Sequence, residues 1–284
     1  MKKIGILGCG WLGFSLARSL IKDGYEVHGS STRIEKKDEF EKNKITFYLI
    51  KIDQNEIKGN LDFFKNIEVL IICIPPGKEN NHNYSNIINL CCEEIMINKI
   101  KNILFTSSIS VYEGIKGEID EKVEPKPVNI SSKEILISEK KLMGLEEINS
   151  IILRLGGLIG ANRNPIYNLV KKDVVKLDGR INLIHQKDCI SIISELMKKP
   201  FLNNIFNCVY PYHPLKKDFY EKQALLRNLK LKKIIYSKKK EKTINSTKIS
   251  KYLNYKFKFD INLLESNFWV RIEIRNSICF KIIT

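Results

Sequence analysis

The stretch Ile6-Leu7-Gly8-Cys9-Gly10-Trp11-Leu12-Gly13 admits two readings. Behind Lys2 and Lys3 it has the outline of a secretion signal, a basic start followed by an apolar core. With glycines at 8, 10 and 13 it also has the outline of a turn that holds a dinucleotide. The flanks decide between them. Residues 3–7 are a short apolar run ending at glycine, the pattern of a buried strand. Residues 11–22 carry Leu12, Leu16, Leu20 and Ile21 at helical spacing, and Asp23-Gly24 stops the run. A glycine turn bounded by a strand and a helix is the context that gives the pattern meaning. Gly8 permits the tight turn, Gly10 lets backbone approach a pyrophosphate, and Gly13 lets helix pack close to strand. The helix start, Trp11 and Leu12 included, then offers free N–H groups and a partial positive charge to phosphates. A signal core favours a helix, which these glycines oppose, and no small-x-small cleavage site follows. The expectation is a cytoplasmic protein that keeps this segment.

A second strand over 25–30 ends in His28-Gly29-Ser30-Ser31-Thr32-Arg33. A site for NAD places an acid there to hold both ribose hydroxyls. Here Ser30, Ser31, Thr32 and Arg33 offer hydroxyls and a guanidinium, which suit a 2′-phosphate. NADP is the expected cofactor, with NAD as the alternative. Further strands are expected at 68–74, closed by Pro75-Pro76-Gly77, and at 102–106 and 150–155. Helices are expected at 84–98 and 131–145. Strands alternating with helices mean a parallel sheet covered on both faces. After Gly160 the pattern loosens to a short helix at 165–171, a firm one at 188–198, a strand at 205–209 and a helix at 215–228. The fold class expected is α/β, a Rossmann-type doubly wound parallel sheet with a smaller C-terminal α+β lobe. The boundaries are 1–160 for the NAD(P)-binding domain and 161–284 for an interleaved substrate lobe.

A chain of 284 residues suits one large or two small domains. Mean hydropathy is -0.19, and no apolar run reaches the roughly 20 residues of a membrane span. The net charge of +16 would suggest a nucleic-acid partner. The composition argues otherwise: 40 Lys stand against 8 Arg and 3 Ala, and Asn and Ile are plentiful, the bias of an A+T-rich coding sequence. The lysines are spread along the chain, and the densest run, Lys238-Lys239-Lys240-Glu241-Lys242, has no interleaved aromatics. The reading is a solvated basic surface that favours anionic small molecules, with no nucleic acid and no membrane as partner. Seven cysteines without a CxxC pair read as free thiols of a reducing compartment. The four histidines do not join them at ligand spacing, so no metal is expected.

Thr106-Ser107-Ser108-Ile109-Ser110-Val111-Tyr112 follows the strand at 102–106. With the opening turn, "LRLGGLIG" at 153–160 and "LIHQKD" at 183–188, it resembles the extended short-chain dehydrogenase/reductase family, the NAD-dependent epimerase/dehydratase group. The closer likeness is to an atypical branch with "PPG" after a strand and a late K-x-x-N segment, here Lys242 to Asn245. The resemblance implies an NAD(P)-dependent oxidoreductase or epimerase/dehydratase-like enzyme. Its substrate would carry a hydroxyl or carbonyl, with sugar nucleotides and phosphorylated compounds as candidates, and a homodimer would be in keeping. Gly8, Gly10 and Gly13 match the dinucleotide loop, Pro75 and Pro76 the loop against the adenosine half, and Ser108 the serine that holds the substrate oxygen.

One element of the family pattern is missing. A Tyr-x-x-x-Lys pair belongs on the next helix, and with Glu139 as the family's glutamate its positions fall on Ser131 and Ile135. Serine's pKa is far too high for unaided base catalysis. Tyr112/Lys116, Tyr167/Lys171, Tyr236/Lys240 and Tyr252/Lys256 share the spacing, and Tyr112 is the leading single candidate for proton donor. The alternative reading is a non-catalytic NAD(P)-binding sensor or scaffold. Arg154 reads as an active-site or strand-end residue, Arg163 as a clamp for an anionic substrate, His185 as a residue shaping the site floor and Asp188 as a helix N-cap. Asn207 and the pair Cys91-Cys92 read as structural. The end from Leu263, with "WVRIEIR", alternates like a strand.

Overall fold

A computed structural model describes residues 2–77, 83–160, 163–236 and 241–263. Strand β1 (Lys3–Leu7) is buried along all but its first residue. Helix α1 (Trp11–Lys22) buries Leu12, Leu16 and Leu20 on one stripe, and each such side chain contributes about 1.5–3 kcal/mol by leaving water. Next come β2 (Glu26–Ser31), α2 (Lys37–Lys42), β3 (Thr46–Ile52), β4 (Ile57–Gly59) and β5 (Val69–Ile72). They are followed by α3 (Tyr84–Ile97), β6 (Asn102–Ser108), β7 (Gly117–Ile119), α4 (Ile130–Met143), β8 (Asn149–Leu155) and β9 (Gly157–Ile159). Beyond lie α5 (Ile166–Leu169), β10 (Val174–Lys176), β11 (Leu183–His185), α6 (Gln186–Met197) and β12 (Asn204–Cys208). The remaining elements are α7 (Lys216–Leu226), β13 (Lys233–Ile235), β14 (Lys242–Ile244) and α8 (Thr247–Leu253).

One sheet carries the architecture, in the order β12-β8-β6-β5-β1-β2-β3-β4. Its pairs are parallel except for β3 with β4. From β1 the chain steps outward to β2 and β3, then returns to lay β5 on β1's other side. The strand order therefore reverses between β1 and β5, and a crevice opens at their carboxyl ends. Two cores flank the sheet. Leu16, Leu20, Ile192, Leu196 and Ile249 join α1, α6 and α8 on one face. Ile88, Cys91, Ile95, Phe105, Ile135 and Leu142 join α3 and α4 on the other. Cys91 and Cys92 pack in that second core, and the described cysteines are all free. A third core in the C-terminal half gathers Ile166, Val175, Leu177, Ile181 and Phe219.

The structure departs from the sequence reading in two places. The segment between the second strand and 68–74 folds as α2, β3 and β4, so two further strands extend the sheet beyond β2. From the C-terminal half, β12 pairs with β8, and α6 packs beside α1. Helix α6 begins at Gln186, capped by the His185 ring, which accepts from Lys187 N at 3.2 Å. The stretch from residue 264, with its alternating pattern and Cys279, lies outside the described residues.

Asp188 is therefore a buried acceptor in the first turn rather than the cap. It takes Tyr255 Oη at 2.7 Å, Lys258 N at 2.9 Å and Phe259 N at 3.1 Å, while Phe259 stacks on His185 with ring centres 5.0 Å apart. Residues 255–259 are thereby fastened across α6. Burial, reinforced by the carboxylate, pushes the Tyr255 hydroxyl far above its usual pKa. Replacing Asp188 with Ala leaves two backbone donors and a phenol without their acceptor. We expect a loss of roughly 2–4 kcal/mol in urea denaturation, with release of 255–259 read as faster amide exchange there.

Candidate functional site

Strand β1 delivers the chain to the crevice, where Gly8 turns it at φ 97°, a conformation that suits glycine. The turn is fastened to β2: Gly8 N donates to Ser30 Oγ at 2.9 Å and Cys9 N to Ser30 O at 2.9 Å. The sequence reading counted Ser30 with Ser31 as a hydroxyl for the ribose end, whereas the structure commits buried Ser30 to the turn. Gly13 packs hard on the turn, since a Cβ there would lie 2.4 Å from Gly8 O. Gly10 is the opposite case: a Cβ would meet nothing within 4 Å. The first bond of α1 runs from Phe14 N to Gly10 O at 3.0 Å, and no side chain caps that end. The N–H groups of Trp11, Leu12 and Gly13 therefore lack helical acceptors and stand at the positive end of the helix. Open space over Gly10 and unclaimed donors behind it fit a pyrophosphate.

The turn opens on a cleft of about 400 Å³. Gly8, Gly10, Trp11, Leu12 and Gly13 form one wall, and Pro75 and Pro76 after β5 form the next. The end of β6 supplies Ser108, so these sequence-chosen residues share one space. Ser108 Oγ accepts from Ser110 N at 3.1 Å, which leaves its own proton free for a ligand. Tyr84, which the sequence reading did not single out, lines the cleft from α3 and donates to Ile74 O at 2.7 Å. It braces the proline loop, and burial raises its pKa well above the usual phenol value. Ser31, Thr32 and Arg33 are outside the cleft lining, where β2 ends beside the turn. Ser31 is partly buried and accepts from Arg33 N at 3.2 Å, while Thr32 and Arg33 are exposed.

Tyr112 is elsewhere, and the sequence-based choice of it as proton donor is corrected by its burial. It is 0% exposed. Its hydroxyl accepts from Arg154 Nη1 at 2.6 Å and donates to Asp120 O at 3.4 Å. Arg154 in turn forms a forked pair with Glu139, with Nη2 to Oε2 at 2.6 Å and Nε to Oε1 at 3.0 Å. Ser107 donates to the same carboxylate. Burial works against the Arg154 charge, but the bonds and charge of Glu139 outweigh it and its pKa rises. This buried quartet ties α4 to β6 and β8. It also sets the register of α4, so that Ile135 lines the cleft where the resemblance expects lysine. Ser131 and exposed Lys133 are not among the lining residues, nor are Tyr167, Tyr236 and Tyr252. Lys242 donates to Tyr112 O at 3.2 Å and Asn245 to Glu118 at 2.9 Å, bracing β14 on β7 outside the cleft. Asn207 is buried beside Arg154 on β12 and donates to Asn245 O at 3.2 Å.

The two glycines separate fold from binding. Gly13→Ala forces α1 off the turn and should cost about 1–3 kcal/mol of stability. Gly10→Ala should leave stability within about 1 kcal/mol while weakening dinucleotide binding at least tenfold. Denaturation midpoints and calorimetric titration of both variants check the contrast.

Residues 3–91 match the family of NADP oxidoreductases described as coenzyme F420-dependent. Protein YeeZ of Escherichia coli (strain K12) is 30% identical over 268 residues, which span 91% of this chain and 97% of that protein. Among solved structures, the UDP-glucuronic acid 4-epimerase from Bacillus cereus in complex with NAD is 20% identical, with a TM-score of 0.75 over 92% of this chain and 95% of that one. The UDP-Glc/GlcNAc 4-epimerase from Campylobacter jejuni is 16% identical, with a TM-score of 0.75 over 92% of this chain and 96% of that one. The glycine turn, the strand reversal and near full-length similarity to YeeZ converge: the chain belongs to the YeeZ family, built on a Rossmann-type fold like that of the UDP-sugar 4-epimerases.

Proposed function

We propose that this protein is an NAD(P)-dependent oxidoreductase or epimerase-like enzyme that prefers NADP. Its substrate is a small molecule with a hydroxyl or carbonyl, and sugar nucleotides and phosphorylated compounds are the first classes to screen. The observation that carries this reading is that the glycine turn and Ser108 open on the same cleft. When bound, the nicotinamide cofactor supplies hydride exchange with a substrate carbon. The chain's own residues do the rest. The N–H groups at the start of α1 hold the pyrophosphate, and Ser31, Thr32 and Arg33 receive the 2′-phosphate by charge-assisted bonds. Ser108, pinned by Ser110 N, holds the substrate oxygen by a hydrogen bond from its hydroxyl. Pro75 and Pro76 lie against the adenosine half, and Ile135 gives the cleft an apolar side.

A thermal melt with NADPH and NADH tests the reading. Ligand at about 100 times its dissociation constant adds ~2.7 kcal/mol, enough to raise the midpoint by several degrees. Arg33→Ala should weaken NADPH roughly tenfold and spare NADH, and equal loss of both removes Arg33 from cofactor choice. Ser108→Ala should keep NADPH affinity and lower turnover on any substrate found by about 100-fold. Cofactor binding with no turnover across a broad carbonyl screen would point instead to a sensor.

The pH profile is a separate check. Among the described residues lining the cleft there is no carboxylate, histidine or lysine. Loss of water pushes the Cys73 thiol up to about 12, and burial raises the Tyr84 hydroxyl well above the usual phenol value. Raised acids stay protonated until the pH passes their pKa, so both remain neutral through pH 9. NADPH affinity should be flat between pH 7 and 9, measured by fluorescence titration. A clear inflection there would bring in a titrating group from outside this lining.

A further inference from the structure

Arg163 is the single charged side chain among the described residues lining the cleft. It stands on the wall that β9 brings up to the glycine turn. The backbone presents it firmly: Gly160 N donates to Arg163 O at 3.0 Å, and Arg163 N donates to Gly160 O at 2.9 Å. Its guanidinium carbon lies 4.9 Å from the centre of the Trp11 ring. That ring is itself confined. A Cβ at Gly160 would come within 3.3 Å of it, and Gln186 Nε2 donates to Trp11 O at 2.8 Å. Arginine, indole and the start of α1 thus form one packed unit at the place where the unclaimed N–H groups face the cleft.

Arg163 differs from Arg154 and Arg180 in its pairing. Arg154 is paired with Glu139, and Arg180 with Glu241. Arg163 is exposed, and no ion pair of it occurs among the described residues. Stacking uses the face of a guanidinium and leaves its N–H edge free, and that edge matches two oxygens of a phosphate. An unpaired arginine beside a helix N-terminus, with no acid on the lining, is arranged for negative charge.

We infer that Arg163, held over the Trp11 ring, clamps a phosphate group of the ligand in this cleft. The group belongs either to the cofactor's diphosphate or to a phosphate on the substrate. The inference rests on the dinucleotide reading of the cleft and adds to it a second anchor that no loop motif encodes.

Trp11 also makes the clamp measurable, because the sequence has one other tryptophan, Trp269. In a Trp269→Phe background, indole emission reports Trp11 alone. Inorganic pyrophosphate, uridine diphosphate and NADPH are titrated separately into this parent and into Arg163→Ala and Arg163→Lys on it. Melting midpoints of the variants should match the parent, since the side chain is exposed. Pyrophosphate should change Trp11 emission in the parent, and Arg163→Ala should weaken it at least tenfold. Arg163→Lys should fall between, because an ammonium keeps charge but loses the fork. If Arg163→Ala also weakens NADPH, the clamped group is the cofactor's. If it weakens uridine diphosphate and spares NADPH, the group is the substrate's. Unaltered affinity of Arg163→Ala for all three ligands overturns the clamp, as does a parent that binds none of them. A parent that binds pyrophosphate but not NADPH sinks the dinucleotide reading, while the clamp is still decided by Arg163→Ala.

Discussion

Helix α1 meets strand β1 with no room for a methyl group, because a Cβ at residue 13 would sit 2.4 Å from Gly8 O. That contact fixes where the helix starts, and hence where its free N–H groups point. A helix standing even a little further off would aim the same donors past the crevice. Ser30 secures the other side of the turn by taking Gly8 N on its hydroxyl and Cys9 N on its carbonyl. The cradle is therefore set by one steric limit and two hydrogen bonds before any ligand arrives. Preformed donors of this kind need no reorganisation when charge appears in front of them.

The opposite wall of the cleft depends on a buried ion pair. Glu139 and Arg154 are 2% and 3% exposed, and burying two charges is costly unless their bonds are fully made. Here the fork between them, Ser107 on the carboxylate and Tyr112 on the guanidinium leave few polar atoms idle. The pair locks α4 against β6 and β8 in one register. That register turns Ile135 into the cleft and holds Ser108 at the strand end. Tyr112 lies on the far side of the same network. It is occupied in satisfying Arg154, which is why it cannot also serve the cleft.

Local patterns were the legible part of this chain. The glycine turn, the α1 stripe of Leu12, Leu16 and Leu20, and the apolar strands each declare themselves within a dozen residues. From these follow the doubly wound sheet and the wall containing Gly8, Gly10, Trp11 and Gly13. What stayed hidden depends on partners far along the chain. Asp188 has the look of a cap until residues 255–259 arrive to use its carboxylate. Tyr112 has the right type and position for a catalytic phenol until Arg154, 42 residues on, claims its hydroxyl. Ser30 and Ser31 are adjacent and chemically identical, and strand alternation alone decides which one faces the turn.

The same distinction bears on how the cleft handles charge. The family pattern would place a tyrosine and a lysine on α4, giving an acid/base pair beside the nicotinamide. This chain has apolar Ile135 at the lysine position and keeps the Ser108 hydroxyl on the lining. A serine donates a hydrogen bond far more readily than it accepts a proton. The remaining polar features of the lining act in the same sense: helix N–H donors and a guanidinium, with no carboxylate among the described residues. Such a site stabilises negative charge on bound groups and offers little that removes a proton. Its lining is thus weighted toward holding anions.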